Sequence, residues 1–433
     1  MSKTGLVWFR NNLRVHDNTS LHRAVSENEK VVGLFCFDPR SFKKDRFGFK
    51  KMEKYRAKFL IETVTDLKRN LNKLNISLFI YKNTPEEILP LLIKDYTITS
   101  IYFQKEWTSE EIKVVQNVKK IEVCKHLNWI SSFDQFLFHP EDIPFTVENI
   151  PQVFANFRKK CEKYAPVRYE CNISTLTLEN RIDDEQHAPT LQELGFESFE
   201  VDSRTAFPFE GGENEALKRI EEYFWNTHKL SYYKKTRNGL IGKNYSSKLS
   251  AWLANGSISP RTIYHEVKRY EQEILKNDDT YWLIFELIWR DFFKYISLKH
   301  GNTIFRTKGI LNKEYTWSTD QNLIYDWING MTHEPFVNAN MLELKHTGWM
   351  SNRGRQNVAS FFAKEQKLDW RIGAAYFESL LMDYDVHSNY GNWLYVSGVG
   401  NDPRDRKFNI KLQSERYDPN QKYQTIWLQP TLF

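Results

Sequence analysis

The sequence predicts an α/β amino-terminal domain built on a doubly wound parallel sheet, followed by a connector and a larger all-α carboxy-terminal domain. Short apolar runs alternate with helical periodicity over residues 4–126, and strand–helix alternation of this kind implies a parallel sheet. From about 130 to 210 the periodicity fades, while Pro140, Pro144, Pro151, Pro166, Pro189 and Pro208 accumulate. A structureless stretch of that length is unusual unless it links domains. From Glu213 onward the apolar spacing is overwhelmingly helical. The domains so read are 1–130, 131–210 and 211–433, and 433 residues is long for a single core.

Taken in order, Gly5–Phe9, Val31–Phe37, Ile76–Tyr81 and Ser100–Phe103 read as strands. Helices are expected from Thr19 or Ser20, across Tyr55–Leu74, and from about Ser109. Thr84-Pro85-Glu86-Glu87 joins a capping residue, a first-turn proline and two acids, all favourable at a helix start. No Gly-x-Gly-x-x-Gly follows the first strand, so the usual dinucleotide fingerprint is missing. Long helices are expected at 213–227, 261–275, 279–299 and 356–382.

Composition narrows the class. No apolar run approaches the ~18 residues of a membrane span, and the start lacks a signal-peptide layout. A soluble, cytoplasmic protein is the expectation. Cys36, Cys124, Cys161 and Cys171 show no metal-ligand spacing, consistent with buried thiols in a reducing compartment. The net charge of +6 permits an anionic partner without demanding one. The 13 Trp, 22 Tyr and 30 Phe serve equally as core or as stacking faces for flat ligands.

The chemistry concentrates in the second half. Glu286, Trp289 and Arg290 stand three and four residues apart, which on a helix gives one face. Such a face suits a flat polar ligand, and equally an amphipathic surface with an ion pair. Gly348–Asn357 sets two arginines and two asparagines before a small apolar stretch: either a polar cap or a cofactor contact at a helix start. Asp383 and Asp385 follow an apolar helix; buried acids need partners, and Arg355 is the natural one. No second ligand cluster supports a metal there. Asn244-Tyr-Ser-Ser-Lys-Leu-Ser250 offers hydroxyls and a lysine, chemistry suited to phosphate or to a helix start.

In combination these segments resemble the photolyase and cryptochrome family. Trp8-Phe-Arg-Asn-Asn-Leu-Arg-Val-His-Asp-Asn18 is similar to its opening strand and turn, with Asn12 where Asp is commoner. Ser246–Ser250, Glu286–Arg290, Gly348–Arg355 and Leu368-Asp-Trp-Arg371 follow in the family's order, and Asn389–Arg404 resembles its DASH branch. The resemblance spans nearly the whole chain and is weakest across 130–210.

The resemblance implies a U-shaped FAD within the helical domain. Tyr233, Ser246, Ser247, Lys248, Leu249 and Ser250 match its phosphate and ribose side; Asn352, Arg355, Asp383, Asp385 and Asn389 match the surroundings of the flavin ring, with Asn389 facing N5. Trp393, Trp370 and Trp317 match the family's electron-carrying tryptophans. Glu286 and Trp289 match its lesion contacts, with Arg290, Gln356 and Tyr395 beside them on the substrate side. Gln356 replaces a commoner methionine and Tyr395 a commoner tryptophan, both as in DASH members.

The implied activity is light-driven repair of pyrimidine dimers, chiefly in single-stranded DNA, with RNA or duplex DNA as further partners, by a monomer. A signalling photoreceptor is the alternative, and a light-independent flavin oxidoreductase is a third class that lacks a nicotinamide site. A folate antenna such as methenyltetrahydrofolate would meet Glu106 and Glu110 in the α/β domain.

Overall fold

The computed structural model describes residues 3–182, 186–402 and 404–429. Five strands, β1 (Thr4–Trp8), β2 (Lys30–Cys36), β3 (Leu78–Tyr81), β4 (Ile98–Gln104) and β5 (Asn128–Ser132), form one sheet in the order β3-β2-β1-β4-β5. Every pairing is parallel. Helices α1 (Thr19–Glu27), α2 (Lys54–Lys73), α3 (Pro85–Asp95) and α4 (Ser109–Lys120) supply the crossovers. Thr84 and Glu87 close a capping box at the start of α3. The strand β5 was not foreseen: Asn-Trp-Ile-Ser-Ser is a half-exposed edge without an apolar run.

The connector is mostly irregular but contains α5 (Phe154–Tyr164), whose Phe154, Phe157 and Cys161 enter the core of the helical half. Of the four cysteines, Cys124 and Cys161 are buried, whereas Cys36 and Cys171 are partly exposed, so the expectation of buried thiols holds for two.

The helical half runs through α6 (Glu213–Ile220), α7 (Tyr233–Thr236), α8 (Ser250–Asn255), α9 (Pro260–Glu273), α10 (Asp278–His300), α11 (Gln321–Asn329), α12 (Pro335–Thr347) and α13 (Asn352–Ser360). It ends with α14 (Trp370–Leu380), α15 (Val386–Ser397), α16 (Ile410–Tyr417) and α17 (Lys422–Leu428). The single helix expected over 356–382 is two. After α13 the chain widens into a π-type turn, Phe361–Glu365, and Lys367 takes a left-handed φ of 55°. Asp369 then caps α14 by accepting from Arg371 N at 3.1 Å. No described helix is long and apolar enough to cross a membrane.

The turn after β1 bolts the halves together. Asp17, fully buried, pairs with Arg261 of α9 at 2.7 Å. Arg14 donates to Gly256 O at 3.0 Å, and Glu213 of α6 accepts from Val15 N and His16 N. Gly256 (φ +74°) lies so close that an added Cβ would stand 2.0 Å from Asn11 O. Past β4, Trp107 stacks on His387 of α15 at 4.4 Å, and its Nε1 donates to Ser297 Oγ of α10 at 2.8 Å.

Candidate functional site

A partly open cavity of about 80 Å³ lies among α13, α14, α15 and the turn before α15. Asn352, Arg355, Gln356, Asp383, Asp385, Asn389 and Trp393 all line it, so residues far apart in sequence converge. Ser351 caps α13 by accepting from Gly354 N at 2.9 Å, which turns Arg355 towards the cavity. Arg355 Nη2 donates to both carboxylate oxygens of Asp383 at 2.9 Å. Asp385 caps α15 through Ser388 N and accepts from Lys294 Nζ at 2.6 Å. Burial pushes the Asp385 carboxyl up, but Lys294, with His387 and Arg290 nearby, outweighs it and holds the group far below the carboxylate range. Both acids are thus spent on cations. Asn389 is fixed by donating to Ala374 O at 3.0 Å.

The loop 243–249 abuts this cavity. Ser250 Oγ donates to Asp383 Oδ2 at 2.7 Å, tying the two together. Arg219 of α6 donates to the carbonyls of Lys243, Ser246 and Ser247, all at 3.0–3.1 Å. Among the described residues nothing accepts from the backbone N–H of Ser246, Ser247, Lys248 or Leu249, although the last three residues are buried. Lys248 takes a left-handed φ of 64°, and its Nζ, also buried, has no hydrogen-bond partner. Buried donors require acceptors. Free amides beside an unpaired ammonium fit an anionic ligand of the phosphate class, the part FAD would present. Tyr233 is buried against Ser247, with its hydroxyl held well above its ordinary range by burial.

On α10, Glu286 accepts from Arg237 Nη1 at 2.8 Å and from Trp282 Nε1 at 3.1 Å. Burial raises its carboxyl, opposed by Arg237 and Arg353. Arg353 Nη1 donates to Gln356 Oε1 at 2.9 Å on the cavity wall. Trp289 stacks one face on Phe154 at 3.6 Å and meets Tyr395 edge-on at 6.0 Å. Arg290 does not join them. Its guanidinium donates to Gln135 O and Leu253 O, on the connector side near Asp385. Spacing of i, i+4 fixes only a sector of the helix; a long side chain then follows the open carbonyls it can reach.

The tryptophans share one core cluster. Trp393 lines the cavity, and Gly373 of α14 lies against it so tightly that a Cβ would stand 2.2 Å from its ring. Trp370, one turn before Gly373, is fully buried and donates to Thr307 O at 3.1 Å. Backbone bonds from Ser318 N to Lys367 O and from Asp369 N to Ser318 O hold the half-buried Trp317 beside the start of α14.

Glu106 and Glu110 have separate partners. Glu106 accepts from Gln104 Nε2 at 2.7 Å and is raised by burial despite Arg10 and Lys294. Glu110 is exposed and paired with Lys51, near Glu378 and Tyr390 of the helical half. Sequence reasoning missed Arg237, Arg219 and Lys294. Arg219 follows Lys218, Arg237 follows Lys234 and Lys235, and Lys294 stands in an amphipathic helix pattern; nothing local distinguishes any of them from solvated surface.

The comparisons agree with this arrangement. Residues 5–173 match the family model described as DNA photolyase, and 282–432 match the FAD binding domain of DNA photolyase. Proteins called "Cryptochrome DASH" from Gloeobacter violaceus and Synechocystis sp. are 46% and 45% identical, covering 99% and 98% of this chain and 86% and 87% of their own. The crystal structure of a Synechocystis sp. cryptochrome superposes with a TM-score of 0.94 at 45% identity, covering 98% of this chain and 88% of that one. A class III photolyase from Agrobacterium tumefaciens, 24% identical with a TM-score of 0.83, covers 99% of this chain and 87% of that one and shares the fold. An α/β domain bolted to a helical domain with an FAD-type cavity, matched end to end by such relatives, places the chain in the photolyase and cryptochrome family, within its cryptochrome DASH branch.

Proposed function

We propose that this protein uses blue light to split cyclobutane pyrimidine dimers, chiefly in single-stranded DNA. The observation that carries the reading is the buried carboxyl of Glu286 on α10, held by Arg237 and Trp282, with Trp289 one turn along the helix and edge-on to Tyr395. FAD, when bound and reduced, would supply the light-driven electron-donor chemistry. The protein's own residues orient and protect. Burial raises the Glu286 carboxyl above its ordinary range, and in its protonated form the group can hydrogen-bond a base carbonyl or deliver a proton there. Arg237 and Trp282 hold that carboxyl in place. Trp289 and Tyr395 offer an aromatic corner for the extruded bases. Asn389 would help hold the flavin ring when FAD is bound, and Trp393, Trp370 and Trp317 would carry electrons inward to it.

Selectivity follows from the wall. Tyr395 and Gln356 make it more polar and less complete than two apolar side chains would. Extrusion from a duplex costs a few kcal/mol, a cost that is smallest in single strands. A folate antenna would meet Glu106 and Glu110, the latter exposed and paired with Lys51.

The alternative, a signalling photoreceptor that binds nucleic acid without repair, is favoured by the Phe154 ring already covering one face of Trp289. Illuminating the reduced, FAD-loaded protein with dimer-containing single-stranded and duplex oligonucleotides separates the two. Faster loss of dimers from the single strand is expected; unchanged dimers in both would leave the photoreceptor.

A further inference from the structure

The outermost tryptophan of the proposed electron route, the half-buried Trp317, has an aromatic neighbour that the route does not use. Tyr315, 38% exposed, sets its ring centroid 5.4 Å from that of Trp317, at 50°. Its hydroxyl donates at 2.8 Å to Asp405 Oδ2, on the loop between α15 and α16. Lys364, in the π-type turn after α13, pairs with the other oxygen of that carboxylate. Its Nζ also stands 5.0 Å from the Tyr315 ring centroid.

The protons of these aromatic groups have different outlets. Among the described residues, the buried Trp393 Nε1 has no hydrogen-bond partner. Trp370 Nε1 donates to a backbone carbonyl, Thr307 O, which is too weak a base to take a proton. Removing an electron from either indole therefore leaves a positive charge on it. Tyr315 is hydrogen-bonded to a carboxylate instead. Burial and Asp405 lift its phenol to about 12, so the proton is present at rest. Burial works to raise Asp405, but Lys364 and Tyr315 hold it below the ordinary carboxylate range, ionised and able to accept. The Lys364 ammonium beside the ring opposes a positive charge left there. Loss of the electron together with the proton is thereby favoured.

We propose that Tyr315 is a further electron donor, lying beyond Trp317 at the surface, with Asp405 as its proton acceptor. The inference rests on reading Trp393, Trp370 and Trp317 as the route to bound FAD, with photoexcited oxidised flavin as the oxidant. One electron passes from Tyr315 to the Trp317 radical cation, which becomes a neutral indole again. The phenolic O–H bond breaks, its proton moves to Asp405 Oδ2, and Tyr315 is left as a neutral phenoxyl radical. A thiolate in solution, able to reach the exposed ring, then gives up one electron and becomes a thiyl radical, while Asp405 returns the proton. Until then, return of the first electron through the indoles requires the proton to come back as well.

Laser-flash absorption of the FAD-loaded, oxidised protein tests this. In the wild type the broad visible band of an indole radical should give way to the narrow near-ultraviolet band of a phenoxyl radical, more slowly in D2O than in H2O. Tyr315→Phe should lose the phenoxyl band, leave the indole radical as the last species and slow thiol-supported photoreduction severalfold. Asp405→Asn, which keeps the aromatic contact but removes the base, should cut the phenoxyl yield severalfold, and Asp405→Glu should restore most of it. Trp317→Phe should abolish the phenoxyl band by interrupting the transfer. Indole radicals that decay in the wild type without a phenoxyl band, a phenoxyl band that survives Tyr315→Phe, or an unchanged yield in Asp405→Asn would overturn the proposal alone. A wild type that forms no indole radical at all would overturn the tryptophan route with it.

Discussion

Glu286 shows how one side chain's surroundings set its chemistry. Its carboxyl is raised by burial, and a group acting in its protonated form loses function as pH climbs through that raised value. Repair by pre-reduced protein should therefore fall with rising pH, and Glu286→Gln, which cannot ionise, should flatten the profile; dimer splitting measured across pH checks both. Glu286→Ala should lower repair by roughly tenfold to a hundredfold while flavin absorbance stays, because the residue does not line the cavity. At this scale the sequence was informative where two charges had to answer each other: Arg355 and Asp383 were legible as a pair and meet at 2.9 Å. It set Arg290 on one face with Glu286 and Trp289, but the direction of that side chain depends on carbonyls of Gln135 and Leu253 more than thirty residues away in the chain.

Among elements, the packing of α14 on α15 holds Trp370 and Trp393, the tryptophans of the proposed electron route, in one core cluster. Trp370→Phe should slow photoreduction of oxidised flavin severalfold and leave repair by pre-reduced protein nearly intact, measurable by flash absorption and by dimer assay. Gly373→Ala should disturb both flavin retention and photoreduction, since the new methyl would meet the Trp393 ring at 2.2 Å. Helix starts were readable from capping chemistry, as Thr84 shows, and buried strands from apolar runs. The break after α13 was not, because Lys367 is an ordinary residue forced left-handed by the contacts around it. The edge strand β5 escaped notice for a related reason: its neighbour β4 recruits it through the backbone ladder, which no side-chain pattern records.

For the whole molecule the governing feature is the joint between the halves. Asp17→Ala would strand the buried Arg261 charge, at a cost of about 3–5 kcal/mol, and a lowered thermal midpoint with faster proteolysis between the halves should report it. A second global effect comes from Glu378, lifted to about 7 by burial against the opposing Arg56. Its raised folded value means that stability falls as pH rises from the ordinary carboxylate range through about 7. Glu378→Gln should thus melt a few degrees above the parent at pH 8 and level with it at pH 5. The two-domain plan was legible in the periodicity; the joint was not, since Asp17 and Arg261 stand far apart in a sequence that marks neither.

The indole of Trp107, wedged against His387 and latched to Ser297, has a bearing on photophysics. Excitation passes between two pigments with an efficiency that drops steeply with separation and depends on the angle between their transition dipoles. A hinge would blur both quantities; a tongue-and-groove joint freezes them, so that any light collector seated in the sheet domain keeps one constant aim at the helices around the flavin.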